Sequence, residues 1–162
     1  MYQRILVPLD GSPVAEAALE VACRLLAPGE GQLVLVRMQE YSREANSTDF
    51  PLLSAALGSE CYRCEEYLKL VSERFREGGR KIVNQVLDYE LRAARVLASV
   101  AESIDCDLVV LTSHGRSGLE RVLLGSVAED VARICTRPVL ILGPQTSEVR
   151  RIKDEIQAMS NG

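Results

Sequence analysis

Two segments of the chain combine small residues with hydrogen-bonding groups, as loops that bind anions do. The first, residues 10–12, reads Asp-Gly-Ser and follows an apolar run. The second, residues 112–118, reads Thr-Ser-His-Gly-Arg-Ser-Gly. The glycines at 115 and 118 allow the backbone to approach an anion closely, because they have no Cβ. Both segments are therefore candidates for binding a negatively charged ligand.

A helix is predicted to begin just after the second loop. Ser126 and Glu129 have the spacing of a capping box, in which each side chain satisfies a backbone N–H at the helix start. A helix N-terminus presents free N–H groups and a partial positive charge, both suited to a phosphate. The sequence thus predicts a phosphate site formed by loop 112–118 and this helix. The alternative is that the glycines only make a tight turn, and spacing alone does not decide between the two.

Hydrolytic chemistry in this loop has less support. A nucleophile elbow, G-x-S-x-G, would need glycine where the chain has Leu119, and no Walker lysine follows a glycine-rich turn. The single histidine, His114, is only three residues from Ser117, which is a poor spacing for a catalytic triad. We interpret His114 as a loop hydrogen-bonding group or a phosphate contact.

A C-x-x-C pair, Cys61 and Cys64, admits a redox or zinc interpretation as well as a structural one. Zinc would need two further ligands, and the sequence has no second pair. The two cysteines continue in helical steps of three and four to Leu68, Val71 and Phe75. This stripe is typical of an apolar helix face, so we expect buried thiols. The five cysteines, without a secretory context, indicate a reducing cytoplasm.

The elements that must position the loops alternate between strands and helices. Four predicted strands are nearly continuous apolar runs, which is typical of a parallel sheet covered on both faces. The third contains Asn84 and Gln85 and is predicted at an edge. The resulting fold is a three-layer, doubly wound α/β domain with five parallel strands. The predicted strands are Arg4–Pro8, Leu33–Met38, Lys81–Tyr89, Asp107–Thr112 and Pro138–Leu142.

Helical periodicity is clear in three places. Ser12 is predicted to cap the first helix, with Pro13 in its first turn. Residues 39–58 are interpreted as a long mobile connection. The apolar faces predicted for the three helices are Val14, Ala18, Val21 and Leu25 in the first, Val96, Leu97, Val100, Ala101 and Ile104 in the second, and Val149, Ile152, Ile156 and Met159 in the tail. The tail helix is expected to dock on its own domain or on a partner subunit, or to be frayed.

Composition restricts the function classes. The chain has 162 residues, 47% apolar and 26% charged, which excludes a disordered or fibrous chain. A net charge of −4 argues against nucleic acid as the main partner. No apolar run approaches the length of a membrane span, and the apolar run after Arg4 ends at Pro8, so neither a membrane segment nor a signal peptide is expected.

Taken together, the two loops resemble the universal stress protein family over about residues 1–143. Residues 5–12, Ile-Leu-Val-Pro-Leu-Asp-Gly-Ser, look like the family's first strand and turn. In the family's nucleotide-binding branch, Gly, two residues, Gly and nine residues precede Gly-Ser or Gly-Thr. Gly115, nine residues and Gly125-Ser126 are similar to this pattern. Thr112 stands at the first glycine, where its Cβ would crowd a backbone approach to the ribose or phosphate.

The resemblance implies the strand order 3-2-1-4-5, with strands one and four side by side. It also implies that Asp10 faces the ribose or adenine and that Pro8 and Met38 flank the base. The residues implied to wrap the ribose and phosphates are Thr112, Ser113, His114, Gly115, Arg116, Ser117, Gly125, Ser126 and Val127.

The function implied by this resemblance is that of a cytoplasmic sensor or regulator in the stress response. Its ligand would be ATP or another adenine nucleotide, with or without Mg²⁺, and it would form a homodimer through the last strand and act on an unidentified protein partner. Residues 1–143 would form the nucleotide-binding domain and residues 144–162 a tail. Two alternatives remain: a nucleotide-independent interaction module, favoured by Thr112, and a slow ATPase.

Overall fold

The computed structural model of the chain describes residues 1–40, 50–76, 79–89, 92–113 and 124–160. The strands are β1 (Arg4–Leu9), β2 (Gln32–Glu40), β3 (Lys81–Tyr89), β4 (Leu108–Thr112) and β5 (Val139–Leu142). The helices are α1 (Pro13–Leu25), α2 (Phe50–Phe75), α3 (Ala93–Ser103), α4 (Ser126–Ile134) and α5 (Ser147–Ser160).

The five strands form one parallel sheet in the order β3-β2-β1-β4-β5, which confirms the predicted fold class and the edge position of β3. The whole of β1 pairs with β2, from Arg4 beside Gln32 to Leu9 beside Arg37. Pairing of β1 with β4 is shorter and joins Ile5 to Leu108 and Leu6 to Val109. The two middle strands are therefore held together mainly near their amino ends.

Each face of the sheet is covered by helices, which completes the three layers. Side chains alternate between the faces along each strand, so neighbouring residues enter different cores. On one face, Ile5 and Val7 pack with α1, α2 and Val149 of α5. On the other face, Leu6 and Val109 pack with α3 and α4. Both cores are largely aliphatic, as expected from an aromatic content of 4%.

The start of α1 agrees with the sequence, whereas its apolar face is displaced. Ser12 caps the helix by accepting a hydrogen bond from the N–H of Ala15, and Pro13 is in the first turn. Because the small side chains let α1 lie close to the sheet, they face the core, and the larger ones lie at the margins. The buried residues are Ala15, Ala17, Ala18, Leu19 and Ala22, and the predicted Val14, Val21 and Leu25 are only partly buried.

The face predicted for α3 is correct at its centre. Leu97 and Ala101 are buried, whereas Val96, Val100 and Ile104 are half-buried. Two small residues at the helix start, Ala93 and Ala94, are also buried. As in α1, alanines make the closest approach to the sheet.

The prediction of a long connection at 39–58 is wrong at both ends. β2 continues to Glu40, because it pairs with β3 along its whole length. α2 begins at Phe50, and Pro51 is compatible with a first helical turn. Residues 41–49 of the predicted connection lie outside the described residues.

The tail contains the predicted amphipathic helix, α5, and it docks on its own domain. Val149 is 2% exposed and joins the core beside α1. Ion pairs join Arg24 to Glu148 and Arg151 to Glu20, so the helix is held to α1 by charge as well as by apolar contact. Met159, near the end of the predicted stripe, is 84% exposed. Within the described ranges, no helix combines the length and apolar character needed to cross a bilayer.

Candidate functional site

The candidate site lies at the carboxyl ends of β1 and β4. These strands are adjacent, and the chain leaves β1 towards α1 on one face of the sheet and passes from β4 to α4 on the other. In doubly wound sheets a crevice opens where the winding direction reverses, and ligands bind in it. The pairing of β1 with β4 ends at Leu6 and Val109, so this is where we expect such a crevice to begin.

The β1–α1 loop is held by its own side chains. Oδ1 of Asp10 accepts hydrogen bonds from the backbone N–H of Ser12 at 2.8 Å and from its hydroxyl at 2.6 Å. Gly11 has φ +82°, a conformation that side chains disfavour. Oγ of Ser12 in turn accepts from the N–H of Ala15 at 3.2 Å. The loop is thus locally closed, with the carboxylate of Asp10 in a fixed orientation.

The start of α4 is held through its backbone instead. The N–H of Gly125 donates to the carbonyl of Ser113 at 2.7 Å, and a Cβ at Gly125 would lie 2.6 Å from that oxygen. Ser113 is 3% exposed, and its N–H donates to the carbonyl of Leu142 at 2.8 Å. The start of the helix is thereby attached to the end of β4 at a distance that only glycine permits.

The predicted capping box at this position is wrong. Gly125 is the N-cap, Ser126 is the first helical residue, and no side chain among the described residues caps the helix. The N–H of Glu129 donates to the carbonyl of Gly125, as expected from this register. Ser126 and Val127 are exposed, so the first turn of α4 faces solvent.

The predicted base-flanking residues share the face of α4. Pro8 lies between Val7 and Leu9, which both enter the core of the other face, so strand alternation directs Pro8 to the α4 side. Met38 is half-buried and packs on the core that contains α3 and α4. The two side chains and the start of α4 therefore border the same side of the crevice.

Thr112 points to the opposite face. It pairs with Leu142, which belongs to the core beside α1, and it follows Leu111, which belongs to the core beside α4. Side chains of paired residues in a sheet lie on the same face. The Cβ of Thr112 is thus directed away from the side of Pro8 and Met38. The remaining predicted contacts, His114, Gly115, Arg116 and Ser117, lie outside the described residues.

With this geometry established, comparison with known proteins is informative. The family model described as the universal stress protein family matches residues 1–143. The chain belongs to the universal stress protein family. Universal stress protein MJ0531 of Methanocaldococcus jannaschii is 32% identical over 145 residues, covering 88% of this chain and 82% of the relative.

Two solved structures extend the comparison. The structure of MJ0577, also from M. jannaschii, has a TM-score of 0.75 and 26% identity, covering 91% of this chain and 99% of that one. A universal stress protein in complex with cAMP has a TM-score of 0.65 and 25% identity, covering 87% and 97% respectively. These members share the five-stranded fold of this chain.

Sequence reasoning missed Arg37, which lies next to the candidate site of this universal stress protein. Its Nη1 donates to the carbonyl of Leu9 at 3.3 Å, and its guanidinium carbon lies 6.0 Å from the ring centre of Tyr67. The available signal was an arginine within the otherwise apolar run Leu33–Met38. The pKa of Tyr67 is raised, first by burial and then by Glu16, which accepts its hydroxyl proton in a hydrogen bond.

The prediction of buried thiols in the C-x-x-C pair of this universal stress protein is confirmed for Cys64 but not for Cys61. Cys64 is 6% exposed beside Leu68 and Val71, and Cys61 is half-buried. Burial also raises the pKa of the Cys106 thiol to about 11, which keeps it protonated and unreactive at neutral pH. No group of three or more potential metal ligands occurs in the described part of the chain.

A concave region lies at the opposite, amino edge of the sheet. Its volume is about 510 Å³, and Arg4 and Asp107 are among its lining residues. Oδ2 of Asp107 accepts the backbone N–H groups of Gln3 and Arg4 at 2.6 and 2.7 Å, and Nε of Arg4 donates to Gln32 at 3.1 Å. The charged side chains of Arg4 and Asp107 therefore hold the first residues of β1 in place. The carboxyl edge of the sheet remains the candidate site.

Proposed function

We propose that this universal stress protein binds an adenine nucleotide at the carboxyl ends of β1 and β4. The observation that carries the proposal is the start of α4, where the first turn faces solvent without a capping side chain among the described residues. Backbone N–H groups at such a start favour a phosphate. The family member solved with cAMP, 25% identical over 87% of this chain, supports the choice of ligand.

In the proposed complex the phosphates lie at Gly125–Val127 and at loop 112–117. Pro8 and Met38 flank the base from the same face of the sheet. Asp10 is directed to the ribose or adenine, with its carboxylate already oriented by Ser12. A fixed acceptor of this kind selects a hydroxyl or amino donor without ordering cost at binding.

Thr112 is compatible with this ligand. Its Cβ is directed to the face of α1, so the side chain leaves the α4 side of the crevice open. This weakens the argument for a nucleotide-independent interaction module, since that alternative depended on crowding by Thr112. A slow ATPase can be distinguished from a nucleotide-binding protein and from an interaction module by its product, because it would convert bound ATP to ADP.

The wider role that we propose is a cytoplasmic sensor or regulator in the stress response. ATP, with or without Mg²⁺, is the first ligand to test, together with ADP, AMP and cAMP. The regulated protein would recognise the occupied crevice. The family assignment supports this role, and the nucleotide measurements below test its first requirement.

A homodimer through β5 is part of the proposal. β5 pairs with β4 on one side and lies at the end of the strand order, so its outer backbone groups are available for antiparallel pairing. Light scattering at tens of micromolar should give twice the chain mass of 17.8 kDa. Ile141→Pro should give a monomer or an unfolded chain, because proline lacks the N–H group needed for pairing. A mass of 17.8 kDa for the unmodified chain would refute the dimer.

The test of binding has two parts. Chromatography of the denatured, purified protein should release an adenine nucleotide, and calorimetry on the emptied protein should then show saturable heat with at least one of ATP, ADP, AMP and cAMP. Guanosine monophosphate serves as the control for base recognition. The absence of heat with all four adenine nucleotides at millimolar concentration would refute the proposal.

A further inference from the structure

Arg37 occupies the carboxyl end of β2 on the face opposite to Met38. Its Cα pairs with that of Leu9, the last residue of β1. Its neighbours in the alternation, Leu33 and Leu35, are buried in the core beside α1 and α2. The side chain therefore continues an apolar row and ends beneath the loop that carries Asp10.

The guanidinium contacts this loop in two ways. Nη1 donates to the carbonyl of Leu9 at 3.3 Å. Nη2 lies 3.3 Å from the position that a Cβ on Gly11 would occupy, and Gly11 has φ +82°. Arg37 thus fills the space below Gly11 and also donates a hydrogen bond to Leu9. It therefore contacts the residues on both sides of Asp10. Loss of the guanidinium would leave both neighbours of Asp10 without this support.

On its other side, Arg37 is supported by α2. Its Cζ lies 6.0 Å from the ring centre of Tyr67, within the range of a cation–π contact. The Tyr67 hydroxyl donates to Glu16 of α1 at 3.2 Å, and Glu16 also forms an ion pair with Arg74 of α2. The position of the guanidinium is therefore tied to the docking of α2 on α1.

We infer that Arg37 is a positioning residue for the nucleotide site. Braced by the Tyr67 ring, it fixes the β1–α1 loop and thereby the orientation of Asp10, and so makes nucleotide affinity depend on the packing of α2. The inference rests on the proposed function. It assigns Arg37 no contact with the nucleotide itself.

The test combines a measurement without ligand and one with ligand. Amide hydrogen exchange at Ser12, whose N–H bonds to Asp10, reports the order of the empty loop. Calorimetry with AMP reports the affinity. The variants are Arg37→Met, Arg37→Lys, Tyr67→Phe and Tyr67→Leu. Arg24→Met is the matched control, because Arg24 also forms a contact between elements, with Glu148, but lies outside the loop network.

Arg37→Met should accelerate exchange at Ser12 and weaken AMP binding, each about tenfold, as expected for the loss of a charged hydrogen-bond donor. Arg37→Lys should restore only part of the affinity, since an ammonium lacks the planar fork that spans the loop and the ring. Tyr67→Leu removes the ring and should weaken AMP binding by a smaller factor than Arg37→Met. Tyr67→Phe keeps the ring but loses the hydrogen bond to Glu16, and it should weaken binding less than Tyr67→Leu. Arg24→Met should change neither measurement.

The two proposals fail in different ways. If the unmodified chain binds no AMP or other adenine nucleotide, the proposed function fails, and exchange at Ser12 alone decides about Arg37. Unchanged exchange at Ser12 in Arg37→Met overturns the inference in every case. Full affinity in Arg37→Met or Arg37→Lys also overturns it, because the site would then need no guanidinium at that position.

Discussion

Two of the helices that begin at the carboxyl edge of the sheet, α1 and α4, begin in different ways. α1 is capped by Ser12, and Asp10 in turn accepts the Ser12 backbone N–H. α4 is fixed by the bond from Gly125 to the Ser113 carbonyl, with no side-chain cap among the described residues. A capping side chain uses one of the free N–H donors at a helix start, whereas a start without a capping side chain keeps that donor for a ligand. α3 also lacks a side-chain cap, but its first residues, Ala93 and Ala94, are buried, whereas the first turn of α4 is exposed. Under the proposed function, α4 therefore binds the anion and α1 supplies a rigid border.

The start of α5 resembles that of α1, because side chains of the chain itself interact with it. Glu148 lies in its first turn, and its pKa is lowered to about 2 by its own backbone N–H, by the Ser147 hydroxyl and by Arg24. The carboxylate of Glu148 therefore supplies an anion at the start of α5. Of these three helix starts, those of α1 and α5 interact with a hydroxyl or carboxylate of the chain itself.

The largest effect is expected from Gly125→Ala. The added Cβ would lie 2.6 Å from the Ser113 carbonyl, so α4 must move away from β4. We expect nucleotide affinity to fall by well over tenfold and stability to fall by about 1–3 kcal/mol, the usual cost of overpacking. Calorimetry and urea denaturation measure the two quantities. Gly143→Ala is the control, because a Cβ there would meet nothing within 4 Å, and an equal loss in both variants would contradict this role for Gly125.

Ser126→Asp should separate affinity from stability. A carboxylate in the first turn of α4 stabilises the helix by about 0.3–1 kcal/mol and repels a phosphate at the same position. AMP should therefore bind about tenfold more weakly while the melting temperature rises slightly, and adenosine, which has no phosphate, should keep its affinity. If AMP and adenosine weaken equally, the phosphate does not lie at α4.

Ser12→Ala should show the opposite pattern to Ser126→Asp, because stability should fall while AMP affinity changes less. Loss of the cap on α1 should reduce stability by about 1 kcal/mol. AMP affinity should change by less than in Ser126→Asp, because Asp10 loses its bond to the Ser12 hydroxyl but keeps its bond to the Ser12 backbone N–H. Urea denaturation and calorimetry provide the comparison, and a larger loss of affinity in Ser12→Ala than in Ser126→Asp would reverse the assignment.

The smallest effect concerns pH and α5. Because the folded pKa of Glu148 lies below its ordinary value of 4.5, its contribution is complete above pH 4.5 and is lost as the pH falls towards about 2. Amide exchange in α5 should therefore accelerate over this range before the sheet opens. Glu148→Gln should remove most of the pH dependence at α5, and an unchanged profile would exclude Glu148 as its cause.

The sheet was predictable because its signals are local and periodic. Apolar runs give four of the five strands to within two residues at each end, and the Ser-Pro pair at 12–13 gives the start of α1. The capping box at 126–129 failed because its spacing is a local pattern, whereas the register of α4 is set by the Ser113 carbonyl on another element. The face predicted for α1 is displaced, because small residues allow the closest packing on the sheet and the spacing of the larger apolar residues does not reveal this.

The site was predictable in part for a related reason. Strand alternation and the topology bring Pro8, Met38 and the start of α4 to the same face of the sheet, and their roles towards a ligand stay predictions. Arg37 escaped notice because a charged residue at a strand end usually indicates solvent. Its role depends on Tyr67 and Gly11, which are distant in sequence and adjacent only in the folded chain.

The short pairing of β1 with β4 has a consequence for folding and lifetime. It divides the sheet into a sector of β3, β2 and β1 and a sector of β4 and β5, joined by residues about a hundred positions apart. Contacts so distant in sequence close slowly, so we expect this seam to form late in folding and to open early. A nucleotide that contacts both β1 and β4 would link the two sectors. It would raise the free energy of unfolding by about 2.7 kcal/mol at a hundredfold excess over its Kd. The protein's resistance to proteolysis would then follow the nucleotide supply of the cell.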